Sequence, residues 1–366
     1  MRVLLLATSL LLLACPATSQ PDAAIDPYDA PGPYAVGVTT FTVTRADGGR
    51  PLTVELWYPA AESARPASEG GFAVEDFEAD ATRRAQLKAW VEQAPATCTP
   101  RRAQGARDAP LSEATQTWPL LLMSHCTECF RFSMHSLAER LASQGFVVAA
   151  PDHLENTRFD ATAPLTNAFL QTRADDLRAV TDAVLGGSPE VVRGRVDAQR
   201  LAVVGHSFGA VTAGKAVELD ARLSAGFLIA APVDSPFLNS GSVARISRPL
   251  SWLLAMEDNS ISYLGNGFIR DNFTRVPKPN FLVEVENAGH WSFSDIAGLG
   301  GDYLPGCGDG LRDPDGGAFT YLANDQARAI ALRTVTAWAK FVLEHDEAAK
   351  AALLLERDGV SHVKAR

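Results

Sequence analysis

The sequence has a shortage of basic residues, with 33 Lys and Arg against 43 Asp and Glu and a formal net charge of −10. A chain that binds nucleic acid needs a basic face, so this balance argues against a nucleic-acid partner. The chain has no internal repeat or low-complexity tract, and after residue 20 it has no apolar run long enough to span a bilayer. Hydrophobic residues make up 46% of the 366 residues and charged residues 21%, which is typical of a globular protein with a large core.

The first twenty residues have the pattern of an export signal. A minimal positive start at Met1 and Arg2 is followed by an apolar segment of signal-peptide length. The segment from Leu12 to Cys15 resembles a lipobox, in which the cysteine becomes the lipidated N-terminus; simple cleavage near Ala17 or Ser19 is the alternative. The sequence therefore predicts a signal peptide at 1–20, a tether at 21–33, and a periplasmic or extracellular protein, with or without membrane attachment through Cys15.

Export changes the meaning of the few cysteines. Besides Cys15 there are four, an even number in an oxidising compartment, so we expect two disulfides. Three pairings are open, and we favour bridges that join Cys126 and Cys129 to Cys98 and Cys307. Because Cys126-x-x-Cys129 lies between a predicted strand and a predicted helix, a thiol–disulfide oxidoreductase is the alternative function. Half of a zinc site, completed by Cys98, Cys307 or His125, is a further alternative.

The hydrophobic pattern predicts an α/β fold. Alternating residues at 36–44 and 52–58 around Asp47-Gly48 indicate an N-terminal hairpin, and 61–116 is interpreted as an insertion that contains a helix at 76–93. Buried strands are predicted at 120–123, 146–150, 201–204, 226–230, 250–254 and 281–285, and helices at 132–143, 170–185 and 325–344. This alternation is typical of a mostly parallel central sheet flanked by helices. We predict one domain over 34–347 and a C-terminal tail at 348–366.

The stretch from Leu201 to Gly214 organises the chain. A β-rich apolar run enters Gly205-His206-Ser207-Phe208-Gly209, and small residues suited to a tightly packed helix follow. This strand–turn–helix order is the context of a nucleophile elbow, where a Cβ at position 205 or 209 would collide with neighbouring backbone. The pattern predicts Ser207 as a nucleophile; an ordinary tight turn is the alternative.

A serine nucleophile needs a base, and the base needs a carboxylate on its second ring nitrogen. His290 lies just past the last predicted core strand, where its loop would reach Ser207, and it is the predicted base. Asp258 directly follows a strand and is the predicted acid, with Asp234 as the alternative and Glu257 as a third candidate. We expect structural roles for His125 and His135, a place beneath the elbow for His206, and solvent exposure for His345 and His362.

Acyl transfer also needs two N–H groups directed at one point, the oxyanion hole. The amide of Phe208, directly after the nucleophile, is the first predicted donor. The second should come from the loop after the 120–123 strand. We predict the amide of Thr127, with that of Cys126 as the alternative.

Several stretches together resemble the α/β-hydrolase superfamily, in particular secreted platelet-activating-factor acetylhydrolases and predicted dienelactone hydrolases. They lie at 32–37, 52–59, 146–153, 205–209, 289–290, 293–295 and 305–308, within a similarity that covers about 32–345 and diverges at 61–116. The resemblance implies a serine carboxylic-ester hydrolase with Ser207, His290 and Asp258 as its triad and with no cofactor or metal ion. It also implies a small-molecule or lipid ester substrate with a short or medium acyl group, such as an acetylated phospholipid or a polyester oligomer.

Some features depart from that group. Its loop usually reads His-Gly followed by an apolar residue, whereas this chain has His125-Cys126-Thr127. In the acetylhydrolase branch the acid follows the strand equivalent to 226–230, which favours Asp234, whereas Asp258 lies one strand later. The serine at 207 argues against a true dienelactone hydrolase, which uses a cysteine nucleophile.

Overall fold

The computed structural model describes residues 26–49, 51–98, 100–160, 162–236, 241–313, 315–356 and 361–366. The predicted signal peptide with Cys15, and the first part of the predicted tether, lie outside the described residues. Across these described ranges, no helix combines the length and the apolar composition needed to cross a membrane.

The described residues form a ten-stranded sheet, a separate two-stranded hairpin and flanking helices. The strands are β1 (Ala35–Val43), β2 (Leu52–Ala60), β3 (Ala106–Arg107), β4 (Trp118–Ser124), β5 (Val147–Pro151), β6 (Val196–His206), β7 (Leu223–Ile229), β8 (Leu250–Ala255), β9 (Phe281–Val285), β10 (Asp309–Leu311), β11 (Ala318–Thr320) and β12 (Ser361–Ala365). The helices are α1 (Arg65–Gly70), α2 (Ala81–Glu92), α3 (His135–Ser143), α4 (Asn167–Leu185), α5 (Phe208–Leu219), α6 (Ser262–Arg275), α7 (Asn324–Glu344) and α8 (Glu347–Leu353).

The sheet has the order β12-β9-β8-β7-β6-β4-β5-β2-β1-β3. Strands β4 to β9 pair in parallel, while β1, β2 and β12 join antiparallel at the two sides. Every residue of β4, β5, β8 and β9 is buried because helices cover both faces: α3 and α7 lie on one face, and α4, α5 and α6 on the other. The predicted mostly parallel α/β sheet with an N-terminal hairpin is confirmed.

This topology positions the site. The carboxyl ends of parallel strands lie at one edge of a sheet, and ligands of such sheets bind there. The loop after β4, the elbow after β6, Asp258 after β8 and His290 after β9 therefore share that edge.

The two predicted terminal segments pack onto the domain. Although 21–33 is interpreted above as a tether, Tyr28 is buried and its hydroxyl donates to Asp346 at 2.8 Å, while Arg333 pairs with Asp26 at 2.7 Å. The predicted tail at 348–366 continues through α8 and ends in β12, which pairs antiparallel with β9. The first segment packs through these side-chain contacts, and the second through the pairing of β12 with the edge of β9.

The insertion has a shorter helix than the predicted 76–93. Helix α2 begins at Ala81 because Asp80 accepts hydrogen bonds from the amides of Thr82 and Arg83, which caps the helix at that point. The preceding segment Val74–Phe77 forms a 3₁₀ turn instead, and it buries Val74 and Phe77 in the core.

The disulfides differ from the favoured pairing. Cys98 is bonded to Cys307, and Cys126 to Cys129, with Cα–Cα distances of 5.9 and 5.2 Å. The physical reason is local, since Cys126 and Cys129 face each other across one turn. Both are fully buried, whereas thiol exchange needs an accessible sulfur, so the redox alternative loses its support. Among the described residues, no group of three or more His, Cys, Asp or Glu side chains is arranged to hold a metal ion.

Candidate active site

Ser207 occupies a sharp turn between β6 and α5. Its backbone lies in a strained conformation, with φ of 56° and ψ of −126°. A Cβ at position 205 would come within 2.0 Å of the Gly209 carbonyl oxygen, and one at 209 within 2.0 Å of the Ser124 carbonyl oxygen. Only glycine fits at either position, and this close packing holds the serine at the edge of the sheet.

The structure brings Ser207, His290 and Asp258 together. His290 Nε2 lies 2.8 Å from Ser207 Oγ, and His290 Nδ1 lies 2.7 Å from Asp258 Oδ2. A carboxylate can only accept, so Nδ1–H donates to Asp258 and Nε2 is left to accept from the serine hydroxyl. We call these three residues the cleft array.

The carboxylate of Asp258 is held by its own loop. Its Oδ1 accepts hydrogen bonds from the amides of Ser260 and Ile261 at 2.9 and 3.0 Å, which leaves Oδ2 for the histidine. The two other acid candidates are engaged elsewhere, since Asp234 pairs with Arg275 and Glu257 pairs with Arg312. The geometry thus favours Asp258 over both.

His206 lies beneath the loop at 287–294 that carries His290, which we call the histidine loop. Its Nε2–H donates to the backbone carbonyl of His290 at 2.8 Å, and its ring packs against Trp291. Burial lowers the pKa of His206 to about 3, so the ring is neutral at physiological pH. His206 therefore lies beneath the elbow, as predicted, in direct contact with the predicted base His290.

A second support reaches the histidine loop from the C-terminal side. The Trp291 amide donates to the Pro305 carbonyl at 2.9 Å, and a Cβ at Gly289 would come within 2.5 Å of the Gly306 amide nitrogen. The next residue is Cys307, whose disulfide to Cys98 fastens this segment to the insertion. The insertion at 61–116 is thereby linked to the position of His290.

The cleft array opens into a cleft of about 430 Å³. Apolar side chains dominate its lining, among them Leu165, Val211, Pro232, Ile261, Phe268 and Trp291. None of the described residues that line it is an Asp, Glu, Lys or Arg. Such a cleft suits an uncharged apolar group.

The predicted oxyanion donors border the same cleft. Phe208 is the first residue of α5, where a backbone amide has no partner within the helix, and Thr127 lies in the turn after β4. Both line the cleft beside Ser207, whereas Cys126 is fully buried. His125 holds this turn, because its Nε2 accepts from the His153 amide and its Nδ1–H donates to the Cys126 carbonyl at 2.6 Å.

Sequence reasoning missed a second group of polar side chains beneath that turn. Ser124, His153, Asp176 and Arg173 are all at most 3% exposed and are joined by hydrogen bonds. The sequence does contain an indication of Arg173. It lies four residues before Leu177, on the predicted apolar face of α4. A charged residue on a buried face requires partners.

Comparison with known proteins matches two family models to the chain. A family model described as "Platelet-activating factor acetylhydrolase, isoform II" matches residues 18–177, and one described as "PET hydrolase-like" matches 112–295, just over half of the chain. The first agrees with the resemblance stated from the sequence. The second covers Ser207 and the loops that carry Asp258 and His290.

Individual relatives match parts of the chain. Cutinase est2 of Thermobifida alba is 45% identical over 73 residues, which are 20% of this chain and 21% of that protein. Platelet-activating factor acetylhydrolase of Bos taurus is 24% identical over 212 residues, 47% of this chain and 40% of that protein. The chain thus spans about a fifth to two fifths of the length of these relatives.

A solved structure shows the same fold over nearly the whole chain. A ferulic acid esterase from Streptomyces cinnamoneus superposes with a TM-score of 0.62 at 21% sequence identity, covering 90% of this chain and 93% of that one. From the family match and the shared architecture, we conclude that the chain is an α/β-hydrolase that belongs to the PET hydrolase-like family.

Proposed function

We propose that the chain is a serine carboxylic-ester hydrolase that works through an acyl-enzyme intermediate. One observation carries the proposal: the cleft array is a continuous chain of hydrogen bonds that ends at the hydroxyl of Ser207 beside an open apolar cleft. In each half-reaction His290 accepts a proton, first from Ser207 and then from water, and passes it on to the leaving group. Asp258 stabilises the imidazolium that forms in between.

The negative oxygen that forms on the attacked carbonyl needs donors in the same cleft. The amides of Phe208 and Thr127 are the proposed donors, because both residues line the cleft at the serine. The strained turn of Ser207 supports this role, since such a turn exposes the hydroxyl at the edge of the sheet, in the cleft that both residues line.

The lining of the cleft supports esters with uncharged acyl or aryl groups of short or medium size. Apolar side chains would bind such a group by removing its surface from water, and the described lining offers no charged side chain to a charged acyl group. Polyester oligomers and acetylated lipids both meet this requirement, in keeping with the names of the cutinase and acetylhydrolase relatives.

We also propose that the protein is exported. Two disulfides in the described residues favour an oxidising compartment, which agrees with the export signal predicted at 1–20. Mass spectrometry of the mature N-terminus decides the fate of Cys15: a lipidated cysteine supports membrane attachment, and a start after Ala17 or Ser19 supports simple cleavage.

A fluorophosphonate probe tests the proposed nucleophile. The purified protein should be labelled at Ser207 alone, and the Ser207→Ala variant should not be labelled. A series of p-nitrophenyl esters from acetate to decanoate then measures the acyl preference, which we expect to fall for the longest chains as the cleft fills. Labelling at another residue, or failure to hydrolyse any ester of the series, would overturn the proposal.

A further inference from the structure

A second Ser–His–Asp trio lies beneath the turn after β4. Ser124 Oγ is 3.0 Å from His153 Nε2, and His153 Nδ1 is 2.9 Å from Asp176 Oδ2. We call these three residues the buried array. None of them is more than 3% exposed, so no substrate can reach Ser124, and the buried array must have another purpose.

Arginines at both ends set the direction of its hydrogen bonds. Arg45 pairs with Asp176 at 3.2 Å, and Arg173 Nη2 lies 3.1 Å from Ser124 Oγ. A guanidinium can only donate, so the oxygen of Ser124 accepts from Arg173 and its hydrogen points to His153. His153 then donates from Nδ1 to Asp176, and burial keeps this ring neutral by lowering its pKa well below the usual value.

Arg173 extends from the buried array to both segments of the proposed oxyanion hole. Its Nη2 also donates to the backbone carbonyl of His125, two residues before Thr127. Its guanidinium lies over the ring of Phe208, 4.9 Å from the ring centroid. Its Nη1 donates to the side chain of Asn156, whose backbone carbonyl accepts from the amide of Glu128 in the same turn.

A fully buried arginine is costly, because desolvation of its charge must be offset by its partners. Burial lowers the pKa of Arg173 to about 9, and Asp176 opposes this shift, so the side chain is still charged at neutral pH. A hydrophobic residue could fill the same space without that cost. The contacts made by Arg173 therefore indicate a requirement for a fixed backbone at this turn.

We infer that Arg173 is a positioning residue for the oxyanion hole, holding the His125 carbonyl and the Phe208 ring so that the amides of Thr127 and Phe208 converge on one point. This inference rests on the proposed ester hydrolysis. Arg173 acts through the backbone and does not touch the substrate.

The test compares an oxygen ester with its sulfur analogue. Arg173→Lys keeps the charge but cannot span the same acceptors, and Asn156→Ala loosens Arg173 while keeping the carbonyl that binds Glu128. For p-nitrophenyl acetate we expect kcat to fall by about 10–100-fold in Arg173→Lys, and by less in Asn156→Ala, with KM within about threefold of wild type. The ratio of kcat for this ester to kcat for the thionoester should fall as well, because a sulfur anion gains less from hydrogen-bond donors.

The matched control is Arg178→Lys on the same helix, where a half-exposed arginine pairs with Asp175. It should leave kcat, KM and the ratio unchanged. A fall in kcat that is equal for both esters would show a merely structural role and overturn the inference. If Arg173→Lys fails to fold, an Asn156→Ala variant with unchanged kcat and an unchanged ratio would overturn it as well. A wild-type protein that hydrolyses neither ester would instead refute the proposed function, and this inference with it.

Discussion

In the cleft array and the buried array, a serine, a histidine and an aspartate are joined by hydrogen bonds of nearly the same length. The serine–histidine distances are 2.8 and 3.0 Å, and the histidine–aspartate distances are 2.7 and 2.9 Å. Three differences separate them. The serine of the cleft array sits in a strained turn, borders a cleft and lies next to a helix N-terminus, whereas Ser124 ends a regular strand under the surface.

The environment of the serine oxygen is the most informative difference. Arg173 donates into Ser124 Oγ, which occupies a lone pair and makes the oxygen a weaker nucleophile. Among the described residues, the side chain that hydrogen-bonds to Ser207 Oγ is the His290 ring. Three residues at triad distances are thus insufficient for catalysis, which also requires access, an available lone pair and nearby donors for the developing charge.

The largest expected effect comes from removing each serine hydroxyl in turn. Ser207→Ala should lower kcat for p-nitrophenyl butyrate by about 10⁵–10⁶-fold, because the nucleophile is lost. Ser124→Ala should lower it by less than about tenfold, since Arg173 still holds the His125 carbonyl. Initial rates measure both, and comparable losses in the two variants would abolish the distinction between the arrays.

The aspartates provide the next comparison. Asp258→Asn should reduce kcat by about 10⁴-fold, because an amide favours the wrong tautomer of His290. Asp234→Asn should leave kcat unchanged, since Asp234 pairs with Arg275 rather than with the histidine. Steady-state kinetics with folded variants test this pair of predictions, and a large loss in Asp234→Asn with a small one in Asp258→Asn would reverse the assignment.

The supports of the two arrays also differ. The cleft array depends on the segment fastened by Cys98–Cys307, a bridge between residues 209 positions apart, whereas Cys126–Cys129 closes a short turn near the buried array. The double variant Cys98→Ser/Cys307→Ser should lose about 2–5 kcal/mol of unfolding free energy, because the unfolded chain regains the freedom of a long loop. Urea denaturation measures the loss.

The short bridge provides the control for that prediction. Cys126→Ser/Cys129→Ser should lose less unfolding free energy, because a short ring restricts the unfolded chain less. Equal losses in the two double variants would show that ring length does not govern the effect.

The last expected effect is the proton linkage of His206, which alters the pH dependence of stability. Its pKa is about 3 in the folded protein and near 6.5 when unfolded, so the unfolded state binds the extra proton between these values. Stability should therefore fall as pH decreases through this window. In His206→Gln the dependence should be shallower by about 1.4 kcal/mol per pH unit, measured by urea denaturation between pH 4 and 7. Parallel curves would contradict a neutral buried His206.

Local sequence patterns, namely hydrophobic runs and short motifs, predicted the sheet and the positions of Ser207, His290 and Asp258. Runs such as 250–254 and 281–285 are typical of buried strands, and each predicted site residue follows such a run directly or within a few residues. The turn around Ser207 can be recognised in the sequence because its flanking glycines are sterically required. These features depend on residues that are close together in the chain, so the sequence alone reveals them.

What escaped prediction depends on contacts between distant segments. The pairing of Cys98 with Cys307 follows from how the insertion meets the histidine loop, and β12 pairs with β9 across about 80 residues. The buried array takes its members from β4, the loop after β5, and α4. No periodicity links these positions, because hydrogen bonds between side chains leave no repeat in the sequence.

The bridge between Cys98 and Cys307 has a consequence for resistance to proteolysis. Ser207, Asp258 and His290 all lie within the covalent ring that it closes. A protease that cuts one peptide bond between residues 99 and 306 leaves two fragments that stay attached, so the severed molecule keeps its parts at high effective concentration. Such a nicked protein migrates as one band on a non-reducing gel and as two after reduction.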